Sequence, residues 1–216
     1  MPASPVTRRA PDRLAALAQY KRRAGIYDAE LALFEPIRAD AIAALNLRHG
    51  QTVLDVGCGT GLSFELLHQR VGASGRIVAI EQCPEMMAQA RARATEGHWH
   101  NVHLICEPAA AAHVRGQADA ALFHFTHDIL REDAALDNVL AHVKPGARVV
   151  ATGLQWAPPW AVPTNAFVMA AALHSVTSFE GLGHPWSKLA RRLRHVDIQH
   201  ALMGGIYIAS GWLADR

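Results

Sequence analysis

The stretch Val53-Leu54-Asp55-Val56-Gly57-Cys58-Gly59-Thr60-Gly61 decides the fold. An apolar run passes directly into three glycines. Leu62 to Val71 then reads as a helix with Phe64, Leu66 and Leu67 facing inward. Glycine admits positive φ and lets backbone approach a ligand closely, and a helix N-terminus presents unpaired N–H groups. Strand, glycine loop and helix in this order therefore mark a nucleotide-type site. A dinucleotide fingerprint, G-x-G-x-x-G, needs glycine at position 62, where Leu62 stands. The third glycine comes one place earlier, which turns the reading away from a nicotinamide site.

The alternation continues on both sides. Residues 11 to 46 carry helical spacing (Leu14, Leu17, Ala18, then Leu31, Leu33, Phe34, Ile37, Ile42, Leu45), interrupted at Pro36. Residues 1 to 10 read as disordered. After the first strand, Thr52 to Val56, come strands at 76–80, 102–106, 119–123 and 147–153. The spacing predicts helices at 84–93 and 134–143. Pro84 opens the first of these, where its missing N–H costs nothing, and Lys144-Pro145-Gly146 follows the second. Near-continuous apolar strands separated by helices indicate a parallel sheet covered on both faces, which binds its ligand at the carboxyl ends of the strands. The tail, Val196 to Met203, Gly204-Gly205 and Ile206 to Trp212, reads as an antiparallel hairpin. The expected fold is α/β: a doubly wound, mostly parallel seven-stranded sheet with a C-terminal antiparallel hairpin. A helical extension or lid over 1–46 precedes the binding domain over 47–216, which holds a helical insert at about 154–190.

Composition narrows the classes. At 216 residues, half of them hydrophobic and 19% charged, the chain suffices for one sizeable core. A formal charge of +2 is too small to indicate a nucleic-acid partner. Basic residues do collect near the start (Arg8, Arg9, Arg13, Lys21, Arg22, Arg23) and at Lys188 to Arg194. Cys58, Cys83 and Cys106 show no C-x-x-C spacing, and no signal peptide or membrane span is evident, so a cytoplasmic location is expected. His98-Trp99-His100 and His103 surround the start of a strand rather than sharing one helix face, so no metal site is expected. No G-x-S-x-G elbow supports hydrolase chemistry.

Four ordered features resemble the class I S-adenosylmethionine-dependent methyltransferases: Asp55 with its glycine loop, Glu81 after Ile77 to Ile80, the Lys144-Pro145-Gly146 turn, and the closing hairpin. The resemblance covers about residues 50 to 212. It implies S-adenosylmethionine as cofactor, held by Asp55, Gly57, Cys58, Gly59 and Gly61 around its methionine part. Glu81 would accept the ribose hydroxyls, with Gln82, Met86, Glu107 and Phe123 also at the cofactor. Glu107 is one residue off the family's usual place for an adenine contact, and Pro108 lacks an N–H. Tyr20 and Tyr27 fall where the family often has a tyrosine near the cofactor carboxylate.

The resemblance places the methyl acceptor after the fourth strand, at Phe123-His124-Phe125-Thr126-His127-Asp128. His124, His127 and Asp128 are the candidate catalytic residues, because imidazole titrates near neutrality and can take a proton from an amine or hydroxyl. Transfer from a sulfonium can also run on proximity alone. Trp156, Trp160 and Trp186 of the insert, with the two tyrosines, are the candidate acceptor pocket. The implied activity is transfer of a methyl group to N or O of a small, partly apolar molecule, by a monomer or homodimer. Two alternatives stay open: a lipid-headgroup amine methyltransferase making peripheral membrane contact through the basic helix 11–23, and a non-catalytic protein that binds the cofactor.

Overall fold

The computed structural model describes residues 34–175 and 179–215. The expectations for residues 1–33, including Tyr20, Tyr27 and the basic helix, lie outside the described residues. The first element is α1, Glu35–Ala44. Pro36 stands in the first turn of this helix, where no N–H is needed. Arg38, Ala41, Ile42 and Leu45 form its buried stripe at helical spacing.

Seven strands make one sheet: β1 Thr52–Val56, β2 Arg76–Ile80, β3 Val102–Ile105, β4 Ala118–His124, β5 Val143–Leu154, β6 Leu193–Ala201 and β7 Ile206–Leu213. Their order is β3-β2-β1-β4-β5-β7-β6. The first five are parallel, whereas β7 runs antiparallel to both β5 and β6. The helices between them are α2 Phe64–Val71, α3 Pro84–Glu96, α4 His127–Arg131, α5 Asp133–Ala141, α6 Val162–Ser175 and α7 Ser187–Ala190. The expected architecture is present. Its boundaries shift where backbone geometry intervenes: α2 begins at Phe64 because Gly61 is left-handed (φ +81°) and holds Leu62 in a turn. β5 begins early, with an irregular Lys144–Ala147 segment between the Ala118–Val143 and Ala120–Arg148 pairs. The hairpin closes through a 3₁₀ turn, Leu202–Gly204.

Alternation along the strands assigns the two faces. Leu54, Val56, Ala121 and Phe123 point into a core under α4 and α5. Val53, Ala120, Leu122 and Val150 point into a second core under α1, α2 and α3. Each fully buried Val, Leu or Ile contributes about 1.5–3 kcal/mol. A third, smaller core (Phe34, Leu154, Val168, Ala172, Leu182, Ile206) seats α6 beyond the carboxyl end of β5. The switch in strand order falls between β1 and β4, and at that point the glycine loop leaves the sheet.

Candidate cofactor and acceptor site

The glycine loop is fixed from below and from the side. Gly57, Gly59 and Gly61 all have positive φ (71°, 57° and 81°). The N–H groups of Gly57 and Cys58 both donate to the Ile80 carbonyl (2.8 and 3.0 Å), which ties the loop to the end of β2. A Cβ at Gly57 would stand 2.5 Å from Thr126 Cγ2. The glycine loop and the loop after β4 are therefore in direct apposition, and the expected cofactor and acceptor segments meet.

Two carboxylates sit at this edge. Glu81 Oε2 accepts from Gly59 N–H (3.1 Å) and Oε1 from Cys83 N–H (2.8 Å). A carboxylate has about four acceptor positions, so capacity for a further donor remains. Burial raises the Glu81 pKa, opposed by these backbone donors. Asp55 is fully buried on the α1 side of β1, and its Oδ2 has no hydrogen-bond partner. Burial pushes its pKa to about 7, against the lowering influence of Arg38 and with a further rise from Glu81.

Arg38 is the residue that the sequence reading missed. It is only 1% exposed, pairs with Glu35, and acts electrostatically on both Asp55 and His124. A guanidinium buried this deeply needs anionic partners. The signal was its place on the apolar stripe of α1, three, four and seven residues before Ala41, Ile42 and Leu45.

The acceptor candidates separate. His124, at the end of β4, has both ring nitrogens buried without a partner. Burial first, then Arg38, drives its pKa down to about 3. The titration near neutrality expected for His124 is thus corrected: the imidazole stays neutral through the physiological range. His127 faces the Glu180 carbonyl through Nε2 (3.1 Å), which ties α4 to the segment before α7. Asp128 lies in the first turn of α4, half-buried. Phe125 adopts φ +56°, uncommon for an aromatic residue, a strained conformation of the kind that collects at functional sites. Its ring packs between His124 (4.9 Å) and Phe34 (4.8 Å).

The remaining candidates are scattered. Met86 is buried, Gln82 and Cys58 are half-buried beside the loop, and the Phe123 ring is wholly enclosed in the core under α4 and α5. Glu107 is engaged by the His113 N–H (2.8 Å) and ring (3.0 Å), so it braces its own loop. The three insert tryptophans do not share one wall. Trp156 stacks on Phe179 (6.1 Å) at the third core, Trp186 packs against the core under α4 and α5, and Trp160 is 70% exposed. Among the described residues no cluster of His, Cys, Asp and Glu could hold a metal. Two open cavities of about 560 and 370 Å³, both bordered by Gly146 and Trp212, lie at the other end of the sheet.

The residues fit S-adenosylmethionine. An orphaned, buried carboxylate oxygen suits its amino group, the Glu81 carboxylate suits hydroxyl donors, and Gly57, Gly59 and Gly61 hold a left-handed loop between the two. Comparisons with known proteins agree. A family model described as a methyltransferase domain matches residues 53–146. The chain is 28% identical over 123 residues (51% of this chain, 46% of the relative) to a ubiquinone/menaquinone biosynthesis C-methyltransferase of Methylococcus capsulatus. It is 36% identical over 78 residues (36% of this chain, 28% of the relative) to the nocamycin O-methyltransferase of Saccharothrix syringae. The chain spans less than half the length of such curated relatives. The N-methyltransferase NodS of Bradyrhizobium japonicum, solved with S-adenosyl-L-homocysteine, superposes with a TM-score of 0.69 at 15% identity. That match covers 93% of this chain and 99% of NodS. By name these relatives methylate carbon, oxygen and nitrogen, so the likeness does not select the acceptor atom. Residues 53–146 thus match a methyltransferase domain, and the chain has the Rossmann-like fold of a methyltransferase solved with S-adenosyl-L-homocysteine.

Proposed function

We propose that the chain transfers a methyl group from S-adenosylmethionine to an N or O atom of a small, partly apolar acceptor. The observation that carries this reading is the adjacency of two unlike surroundings. Asp55, Glu81 and Arg38 cluster at the glycine loop, and one residue beyond His124 an aromatic wall begins with Phe125 and Phe34. When bound, the cofactor supplies a methyl group already activated by a sulfonium. The chain's tasks are therefore holding, orienting and excluding water.

Asp55 accepts from the cofactor's amino group, Glu81 from the ribose hydroxyls, and the Arg38 charge favours the carboxylate. Gln82 and Met86 border the base, and Glu107 keeps the neighbouring loop in shape. Neutral His124 can donate from one ring nitrogen and accept at the other, so it orients an acceptor hydroxyl or amine rather than storing its proton. His127 and Asp128 hold α4 against the insert. Trp156, Phe179, Phe34 and Phe125 give the acceptor side an apolar and aromatic lining, which also favours a cationic amine.

The test is transfer of labelled methyl from S-adenosylmethionine across a panel of aromatic and aliphatic amines, phenols and lipid amines. Transfer to amines or phenols bearing an apolar group is expected. Tight binding of S-adenosyl-L-homocysteine with no transfer to any acceptor would instead favour a non-catalytic binding protein.

A further inference from the structure

The outer face of α6 is apolar from Val162 to Leu173. Val162, Phe167, Met169 and Leu173 are all exposed, with alanines and Pro163 between them, while Thr164, Val168 and Ala172 face inward. From Leu154 to Phe179 the sequence contains no Asp, Glu, Lys or Arg. A helix that is apolar all round ordinarily lies inside a protein or against lipid. The exposed surface extends past the helix. Met203 meets Thr164 through its sulfur (3.8 Å), so the exposed Leu202 and Met203 flank the helix, and Trp160 stands just before it. Scattered exposed apolar residues are ordinary, whereas a continuous face of this kind marks an interaction surface.

Two observations select the partner. The first is charge. Residues 1–33 carry six Lys and Arg against three Asp and Glu, so the chain's formal +2 leaves −1 for all the residues that follow. That basic segment joins the described chain at Phe34, whose ring lies 6.2 Å from Phe167 on this face. An uncharged apolar face, on a chain whose net positive charge is carried by the segment preceding Phe34, complements an anionic lipid surface. The second observation is continuity with the site: the rings of Phe167, Phe34, Phe125 and His124 follow one another at 6.2, 4.8 and 4.9 Å. An apolar path thus runs from the exposed face to the end of β4.

We propose that the outer face of α6, with Trp160 and the Leu202–Gly204 turn, seats on an anionic lipid bilayer and admits an apolar acceptor from it. The proposal rests on the reading of a partly apolar acceptor and narrows it to one that partitions into lipid. Trp160 acts as the interfacial anchor, because indole combines an apolar body with a donor.

The test is co-sedimentation of the full chain with vesicles of equimolar phosphatidylglycerol and phosphatidylcholine, and with phosphatidylcholine alone. Binding to the anionic vesicles, weaker binding to the zwitterionic ones, and partial release by salt are expected. Met169→Glu with Leu173→Glu should lower the partition coefficient by about tenfold or more, since each change places a charge in the interface. Binding of S-adenosyl-L-homocysteine should be unchanged in this variant. A single Met169→Cys variant should react rapidly with a thiol reagent in free protein and slowly once vesicles are added. The proposal is overturned by wild-type protein that ignores anionic vesicles, or by equal partition of the double variant. Slow labelling of the free protein also overturns it, since the face is then covered within the protein or by a second copy. Product binding without vesicle binding removes the lipid surface and leaves the methyl-transfer reading intact.

Discussion

Replacing Asp55 by Asn gives a sharp quantitative test of how the site is built. Burial raises the Asp55 pKa from 3.8 to about 7 in the folded protein. The folded state therefore holds a proton that the unfolded chain releases between those two values. Stability linked to this group is complete below pH 3.8 and is lost as pH rises through 7. About three pK units at 1.36 kcal/mol each give about 4 kcal/mol. Asn has the same shape and no titration. The unfolding free energy of Asp55→Asn minus that of wild type should therefore climb by about 4 kcal/mol between pH 4 and pH 8, with no cofactor present. Subtraction removes the titrating groups that are not coupled to Asp55, provided both proteins unfold in two states. Urea unfolding at half-unit pH steps measures the difference. A difference independent of pH would refute the placement of an uncompensated buried carboxylate beneath the glycine loop. Saturating S-adenosyl-L-homocysteine should shrink the difference, because an amino group on Asp55 stabilises only the wild-type anion.

His124→Gln should give a difference profile of opposite sign: the wild-type histidine, held near 3 when folded, contributes stability above pH 6.5 that is lost as pH falls toward 3. In wild-type enzyme the rate of methyl transfer should show no inflection from His124 between pH 6 and 8; a step there that His124→Gln removes contradicts its neutral state. Gly57→Ala combines a positive φ with a 2.5 Å approach to Thr126 Cγ2, so a loss of at least about 1–3 kcal/mol by thermal or urea unfolding is expected. Adding Thr126→Ser should recover part of that loss, and no recovery would deny the contact between the two loops. Glu81→Ala should weaken cofactor binding by tenfold or more in calorimetry, and by more than His127→Ala, whose Nε2 faces the Glu180 carbonyl. Equal losses would contradict the division of roles.

The fold was legible because its signals are local. Apolar runs at 52–56 and 76–80, glycines at 57, 59 and 61, and Pro84 at a helix start each act through their own backbone. The strands at 52–56 and 76–80 accordingly fall where their residues predict. The site was legible only as segments. Asp55, Glu81 and the loop after β4 could be named from spacing, yet their states depend on neighbours distant in sequence. Arg38, 17 residues before Asp55 in the chain, helps to set the titration of Asp55 and His124, and nothing in the local pattern of either residue announces it. The tryptophans show the opposite failure. Trp156, Trp160 and Trp186 are close in sequence, but α6 and the segment after it carry them into an inner wall, an exposed corner and a different core.

The central claim is that Asp55, Glu81 and the glycine loop form an S-adenosylmethionine site. Calorimetric titration of the full chain with S-adenosyl-L-homocysteine tests it most directly. The account predicts saturable binding at one site per chain, weakened in Glu81→Ala. Absence of binding by folded wild-type protein, or affinity unchanged in Glu81→Ala, contradicts it.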